Sequence, residues 1–392
     1  MRSLYPIIFS LLFAFLTSYI AGKILRSFNI RFFRFERLNL VANKLPFYLL
    51  PAIFLWSAGY LFRIHFLKIL GASILSIGIL ISIILIFTVP ISMLIHYIHR
   101  YQKSQKYIFN HSRRHFIGIT ATSIPVMALG TAGIGIARSF EDVRVPEIPI
   151  MFRNLSGGLN GFRILHLTDL HLGNYFHLSD LERTLLQAEP LKPHMVVLTG
   201  DIADDFSLLP DALKLVDQLK VPCNGFVILG NHEYYRGIKQ AIKILISGPF
   251  PLLINSGIEV VYKNEKIYIA GLDDPRSMHR SNHEFYKKTI DLSMTKSHKR
   301  FFSFNILLSH RPRALDSIEG HKVDLVLAGH THGGQIGFRG KSLLEGISNE
   351  PYMWGKYRKG KTQLYTSSGL GHWFPFRFNC PPEAPVIILK KG

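Results

Sequence analysis

Apolar residues in the first third of the chain form long unbroken runs instead of alternating with polar residues. Four runs, at residues 4–22, 45–62, 69–99 and 116–137, contain no Asp, Glu, Lys or Arg. Each is long enough to cross roughly 30 Å of hydrocarbon as a helix. We therefore predict an all-α membrane domain of about four transmembrane helices over residues 1–140, the alternative being buried helices of a soluble core.

The pattern changes near residue 145, where short β-rich runs alternate with helical or loop segments. Such alternation of strand and helix patterns is typical of an α/β domain. We predict such a domain over residues 161–392, with residues 141–160 as a linker and first strand. Its predicted strands include residues 163–167, 195–198, 226–229, 266–270, 305–308, 324–328 and 386–389.

Basic residues are concentrated around the apolar runs. The formal net charge is +20, and residues 1–145 carry 16 Lys or Arg against 3 Asp or Glu. Most of these cations lie in residues 26–44 and 100–114, so the positive-inside rule predicts that both loops are cytoplasmic. The C-terminal domain is then extracytoplasmic, on a multi-pass protein of the cell (inner) membrane. The same placement disfavours nucleic acid as the partner of the positive charge.

A second feature bears on this orientation. Residues 112–118 read SRRHFIG and resemble a twin-arginine export motif just before the last apolar run. An ordinary cytoplasmic anchor explains paired arginines before a membrane helix equally well. Both interpretations stay open.

Five of the predicted strands end in side chains that can bind metal ions. Strand ends at one edge of an α/β sheet converge, so residues far apart in sequence can form one site. The donors are nitrogen and oxygen without a thiolate, which suits manganese, iron or zinc. So many ligands favour two divalent metal ions, about 3.5–4 Å apart and bridged by a carboxylate, over one. The candidate ligands are Asp169, His171, Asp201, Asn231, His310, His330 and His332.

Other reactive residue types receive no part in this site. Cys223 and Cys380 lack metal-ligand or redox spacing, and we expect them to pack as small apolar side chains. The pair Asp273-Asp274 follows a predicted strand, but a turn before Pro275 explains it, so it is assigned no role. Several histidines without motif context are expected to be structural or surface residues: His166, His177, His194, His279 and His321.

In chain order, the strand ends read Asp-x-His, Gly-Asp, Gly-Asn-His-Glu, a lone His and Gly-His-Thr-His. This series resembles the calcineurin-like metallophosphoesterase superfamily over residues 161–389. The run GHTHGGQ and the tail residues 368–383 resemble one bacterial branch, which includes transmembrane metallophosphoesterases and certain UDP-2,3-diacylglucosamine hydrolases. The resemblance implies a four-layer αββα sandwich.

The resemblance also implies a division of the ligands between two ions. Asp201 would bridge them, and His232 would stand just outside as general acid or as a donor to the phosphoryl oxygens. One ion would be held by Asp169, His171, Asp201 and His332. The other would be held by Asp201, Asn231, His310 and His330.

These observations predict a membrane-anchored phosphoesterase that hydrolyses a phosphate ester or pyrophosphate bond with metal-activated water. The aromatic tail residues, Trp354, His372, Trp373, Phe374 and Phe376, suggest a lipid-linked substrate or contact with the bilayer, the alternative being core packing. A UDP-sugar precursor of lipid A biosynthesis would instead require a cytoplasmic domain, in conflict with the predicted topology. No protein partner is predicted.

Two other function classes compete with this interpretation. A catalytically silent metal-binding scaffold or regulatory domain is one, although such proteins usually show lost ligands. The other is a transporter or channel, and the absence of charged side chains in residues 45–62 and 69–99 argues against an ion pathway there.

Overall fold

The computed structural model describes residue 131 and residues 133–392, apart from 174, 276–282 and 373, together with scattered positions between 51 and 74. Most positions of the four predicted membrane spans lie outside these residues. Among the residues described, no helix combines the length and the apolar character needed to cross a bilayer. Residues 138–373 and 377–392 form one compact unit, which carries everything described below.

Strands and helices of this unit are numbered in chain order. The helices are α1 (Leu178–Ala188), α2 (Leu209–Asp217), α3 (Asn231–Ile246) and α4 (His283–Lys299). The strands are β1 (Glu147–Phe152), β2 (Arg163–Leu167), β3 (Met195–Thr199), β4 (Gly225–Ile228), β5 (Ser256–Tyr262), β6 (Glu265–Gly271), β7 (Phe304–Leu308), β8 (Leu325–Ala328), β9 (Gly337–Phe338), β10 (Lys341–Ser342), β11 (Gly355–Lys359), β12 (Thr362–Thr366) and β13 (Val386–Lys391).

Eleven of these strands form two mixed sheets, and β9 and β10 form a separate antiparallel pair. The first has the order β1-β13-β2-β3-β4, in which β2, β3 and β4 are parallel and β13 is antiparallel to β2. The second has the order β11-β12-β8-β7-β6-β5, with a parallel centre and an antiparallel strand at each edge. Because the central strands of each sheet are parallel, their carboxyl ends lie at the same end of the sheet.

The sheets stack face to face over a shared apolar core. Side chains such as Ile164 and Val197 from the first sheet meet Ile269 and Ile306 from the second. Helices α1, α2 and α3 pack on the outer face of the first sheet, and α4 packs on the outer face of the second. The structure therefore confirms the α/β class and the four-layer αββα arrangement.

The core strands consist of apolar residues buried on both faces, as expected for parallel strands covered by helices or another sheet. Strand β3, for example, is buried along its whole length. Each of the seven strands predicted with bounds is observed to within two residues, because uninterrupted apolar runs mark their limits. Strands β5, β9, β10, β11 and β12 were not predicted.

Candidate metal centre

All seven predicted ligands lie together, in the loops that follow β2, β3, β4, β7 and β8. Six are buried, and His330 is half-buried. The loops also bond to one another, since the backbone N–H of Asp169 donates to the carbonyl of Gly200 (3.1 Å) and that of His171 to the carbonyl of Asp201 (3.0 Å). The topology therefore brings residues from both sheets to one point.

Site A is the group formed by Asp169, His171, His332 and Asp201. The Nε2 atoms of His171 and His332 lie 3.2 Å apart. Asp169 Oδ1 is 3.6 Å from His332 Nε2, and Asp201 Oδ2 is 3.7 Å from His171 Nε2. Two imidazole nitrogens and two carboxylate oxygens thus face a common centre.

Site B is the group formed by Asp201, Asn231, His310 and His330. His310 Nε2 lies 3.3 Å from Asp201 Oδ2 and 3.1 Å from Asn231 Oδ1. The Nδ1 atom of His330 is 3.2 Å from Nε2 of His310. Site B therefore converges on its own centre, adjacent to site A.

Asp201 belongs to both sites through a single oxygen. Its Oδ1 accepts the backbone N–H of His232 at 2.8 Å, which fixes the carboxylate. Its Oδ2 is left facing His171 on one side and His310 on the other. This is the geometry required of a bridging carboxylate.

Five of the seven residues have a left-handed backbone, an uncommon conformation for residues other than glycine. Their φ angles are 52° at Asp169, 47° at His171, 52° at Asp201, 70° at His330 and 49° at His332. Each such residue costs on the order of 1–3 kcal/mol and persists only where surrounding structure enforces it. Strain concentrated at one cluster is typical of a functional site.

Burial and neighbouring charges shift the pKa values of these groups. Burial alone would raise the pKa of Asp201, but the imidazole of His310 holds it well below its usual range. Burial holds the pKa values of His330 and His332 well below their usual range, and the Arg311 guanidinium adds to the effect at His330. His310 differs, because Asp201 outweighs burial and raises its pKa to about 10. A cation bound there replaces a proton.

Comparison with known proteins agrees with this geometry. The family model described as calcineurin-like phosphoesterase matches residues 162–334. The uncharacterized metallophosphoesterase YkuE of Bacillus subtilis (strain 168) is 32% identical over 302 residues, covering 71% of this chain and 98% of that protein. The chain belongs to the calcineurin-like phosphoesterase family.

Two further similarities cover less of the other protein. A Danio rerio protein named "Transmembrane protein with metallophosphoesterase domain" is 30% identical over 277 residues, covering 66% of this chain and 60% of its own length. The crystal structure of a 5'-nucleotidase precursor from Thermus thermophilus has a TM-score of 0.36 at 15% identity, covering 53% of this chain and about half (49%) of that one. A likeness this low says nothing about activity.

Membership of the calcineurin-like phosphoesterase family implies a metal-dependent phosphoester hydrolase, and the two sites fit divalent ions. Donor atoms that each lie about 2.0–2.2 Å from one ion are about 3–3.5 Å from each other. The separations are 3.2–3.7 Å in site A and 3.1–3.3 Å in site B. Oxygen and imidazole donors without thiolate match the manganese, iron or zinc expected from the sequence.

His232 lies beside the two sites and is held by a residue that sequence reasoning missed. Its Nδ1 is 2.7 Å from Oδ1 of Asp204, a buried carboxylate that is also 3.3 Å from Arg236 Nε. Burial opposes protonation of His232, but Asp201 and Asp204 raise its pKa to about 9. The signal for Asp204 is its position three residues after Asp201, which the motif comparison did not use.

Glu233 is a second residue for which no role was predicted. Its buried carboxylate accepts the backbone N–H groups of Gly230 (2.7 Å), Asp201 (3.0 Å) and Ile202 (2.8 Å). It thereby fastens the loop after β3 to the start of α3. Gly230 must be glycine, because a Cβ atom there would collide with Oδ1 of Asp201.

Arg311 and Asp274 form a third group that was not predicted. Arg311 is buried next to site B, and its Nε donates to Asp274 Oδ2 at 2.8 Å. Its Nη1 lies 2.8 Å from His330 Nε2, and its Nη2 lies 3.5 Å from Asn231 Oδ1. Asp274 had been explained as part of a turn, but its carboxylate anchors an arginine behind the ligands.

The tail residues 368–383 contact the loop that carries Asp169, a ligand of site A. Arg377 is almost fully buried, and its guanidinium donates to the carbonyls of Ser368 (3.0 Å), Gly369 (3.2 Å), Gly371 (2.7 Å) and Cys380 (3.2 Å). This loop in turn contacts the first ligand loop, since the N–H of Gly371 donates to the carbonyl of Asp169 (2.8 Å). Burial lowers the pKa of Arg377.

The aromatic tail residues have different environments. Trp354 is buried, and its Nε1 donates to Glu383 Oε1 at 3.1 Å. His372 is buried and stacks on Tyr175 with 5.1 Å between ring centres. For these two the structure shows core packing. Trp373 lies outside the described residues, and Phe374 and Phe376 belong to another compact unit.

The histidines without motif context have structural partners where the structure describes them. His166 Nε2 lies 2.8 Å from Thr199 Oγ1, and His194 Nδ1 accepts from the N–H of Arg163. His177 immediately precedes α1, and His321 pairs with Asp291. His279 lies outside the described residues. Cys223 and Cys380 are free and buried.

Proposed function

We propose that this chain is a membrane-anchored phosphoesterase that uses two divalent metal ions to hydrolyse a phosphate ester or pyrophosphate bond. The observation that carries the proposal is the convergence of sites A and B on one oxygen, Asp201 Oδ2. Two adjacent sites joined by a carboxylate are the arrangement used for in-line displacement at phosphorus.

In this proposal the seven predicted residues keep the division that the resemblance implied, with Asp201 common to both ions. When bound, the two ions supply a water molecule of lowered pKa and a positive clamp for the oxyanion charge that develops. The protein supplies rigid placement of the donors, through the strained loops and the carboxylate of Glu233.

His232 acts as the general acid. Its Nδ1 is held by Asp204, so its Nε2 carries the proton available to the leaving oxygen. The Asp204 carboxylate favours the protonated form of this ring and raises its pKa. Asp204 orients the ring and stabilises its positive charge without contacting the substrate, as the carboxylate does in other His–Asp pairs.

The membrane anchor and the lipid-linked substrate are further parts of the proposal. Support comes from the four apolar runs in residues 1–140 and from the Danio rerio relative, which is named a transmembrane protein. The distribution of basic residues favours an extracytoplasmic catalytic domain. The bacterial UDP-2,3-diacylglucosamine hydrolase-like branch remains a proposal about substrate, and it requires the opposite orientation.

Activity and metal content of the full-length protein test the central claim. The detergent-purified chain is expected to bind two ions of manganese, iron or zinc and to hydrolyse nitrophenyl phosphate esters. Activity should disappear on chelation and return on adding the metal. A preparation that binds two ions and hydrolyses no phosphomonoester, phosphodiester or pyrophosphate would favour the silent scaffold.

Topology and substrate are tested separately. A protease added outside intact cells should cut the C-terminal domain if it is extracytoplasmic. Activity on a lipid-linked pyrophosphate should exceed that on a soluble nucleotide diester. Equal or better use of the soluble compound would remove the lipid-linked substrate from the proposal and leave the phosphoesterase itself standing.

A further inference from the structure

The two site B imidazoles, those of His310 and His330, differ in what supports them. A metal-binding histidine normally donates its second ring N–H to a carbonyl, carboxylate or water. His310 follows this rule, because its Nδ1 lies 2.8 Å from the carbonyl of Thr199 and its Nε2 is left for the ion. His330 does not, because its Nε2 faces Nη1 of Arg311 at 2.8 Å.

An arginine is always charged and has no acceptor atom, so it can only donate. His330 Nε2 must therefore accept from Arg311. A neutral imidazole that accepts at Nε2 carries its hydrogen on Nδ1, and Nδ1 is the atom that points at His310 Nε2 in site B. In this tautomer Nδ1 carries a hydrogen, so it has no free lone pair with which to bind an ion in site B.

Arg311 is held firmly in this position. Its side chain and that of Asp274 are both buried, and Nε donates to Asp274 Oδ2 at 2.8 Å. Glu350 Oε1 lies 3.8 Å from its Nη1. The positive Arg311 guanidinium faces His330 and Asn231, so it repels a cation at site B. The negative charge of Asp274 weakens this repulsion.

We propose that Arg311, held by Asp274, makes site B the weaker of the two metal sites, filled second and emptied first. Metal binding through Nδ1 of His330 would require the ring hydrogen to lie on Nε2, the atom that faces the Arg311 donor. Site A has a different arrangement, since Arg377 donates to backbone carbonyls and not to a ligand. The inference rests on the proposed two-ion function.

Titration of the metal-stripped full-length protein with Mn²⁺ tests this. Equilibrium dialysis counts the bound ions, and electron paramagnetic resonance separates isolated from paired Mn²⁺. The wild type should bind one ion tightly and a second more weakly. His310→Ala should lose the weak ion and keep the tight one.

Asp274→Asn is the first informative variant, because it leaves the Arg311 charge without its carboxylate. Loss of an outer partner of a metal ligand typically changes affinity about 10–100-fold. We expect the second ion to bind weaker by that factor and the first to be unaffected. The double variant Arg311→Gln/Asp274→Asn removes both charges together and supplies an oxygen that can accept from His330 Nε2. Its second ion should bind at least as tightly as in the wild type.

Arg358→Gln is the matched control, since Arg358 is exposed and its Nε donates to the carbonyl of Gly360; its second-ion affinity should equal that of the wild type. Thermal unfolding establishes that each variant is folded. Equal affinity of the two ions in the wild type would overturn the inference, as would a double variant as weak as Asp274→Asn. A wild type that binds no ion would instead overturn the proposed function.

Discussion

Sites A and B share Asp201 and have equal numbers of candidate ligands, yet the groups behind them differ. Behind site A, Arg377 donates to backbone carbonyls and fixes the loop that contacts Asp169. Behind site B, Arg311 donates directly onto His330. An inventory of ligands would treat the sites as equivalent. From this comparison we expect the outer partners, and not the number of ligands, to set how strongly each site holds its ion.

The substitution that breaks both sites at once is Asp201→Asn. It replaces the shared anionic oxygen, so we expect both ions to be lost and turnover to fall to background. Elemental analysis of metal per chain and an ester hydrolysis assay measure this. Asp205→Asn is the matched control, because that carboxylate accepts from Ser207 and not from a ligand. An Asp201→Asn protein that kept two ions would rule out the bridge.

Substitution of His232, which lies beside both sites, should lower turnover without changing metal binding. His232→Ala is expected to lower turnover about 10²–10⁴-fold, the usual contribution of a general acid. The metal content should stay that of the wild type, because His232 belongs to neither ligand set. Asp204→Asn should slow turnover in the same direction, since it frees Nδ1 of His232. Release of metal by His232→Ala would show that this residue had been assigned incorrectly.

Arg377→Met should disturb site A more than site B. The change leaves buried carbonyls without a donor, at about 1–3 kcal/mol for each unsatisfied group. We expect the free energy of unfolding to fall by about 3 kcal/mol or more and the tighter ion to exchange faster. Chemical denaturation and metal exchange measure the two effects. Arg358→Met is the control, since Arg358 is exposed and its Nε donates to the carbonyl of Gly360. Normal stability in Arg377→Met would contradict this account.

At neutral pH the smallest expected effect is that of replacing His166, a buried histidine of β2 that influences stability only in acid. Burial lowers the pKa of His166 on β2 from 6.5 to about 3. Between these values only the unfolded chain binds the proton, so the free energy of unfolding decreases as the pH falls from about 6.5 towards 3. It is unaffected above pH 6.5. His166→Gln should flatten this part of the profile, as measured by denaturant unfolding at several pH values. An unchanged slope would assign acid sensitivity to other groups.

Much of the fold and the ligand cluster could be predicted, because both depend on local patterns. Apolar runs predicted the strands, and ligand-capable residues at their ends predicted which side chains would meet. The partners of those side chains were not predictable in this way. Asp274 and Arg311 are 37 residues apart and meet only through the packing of β6 beside β7. Asp204 reaches His232 only because α3 starts at Asn231. Such contacts depend on tertiary placement, which hydrophobic periodicity does not encode.

The last strand, β13, lies between β1 and β2 and not at an edge of its sheet. The sheet can therefore be completed only after β13 has been synthesised. Until then β1 and β2 lack the strand that joins them. A chain that terminates before β13 would present unpaired strand edges to solvent, so such a truncation should yield aggregates instead of a partly active enzyme.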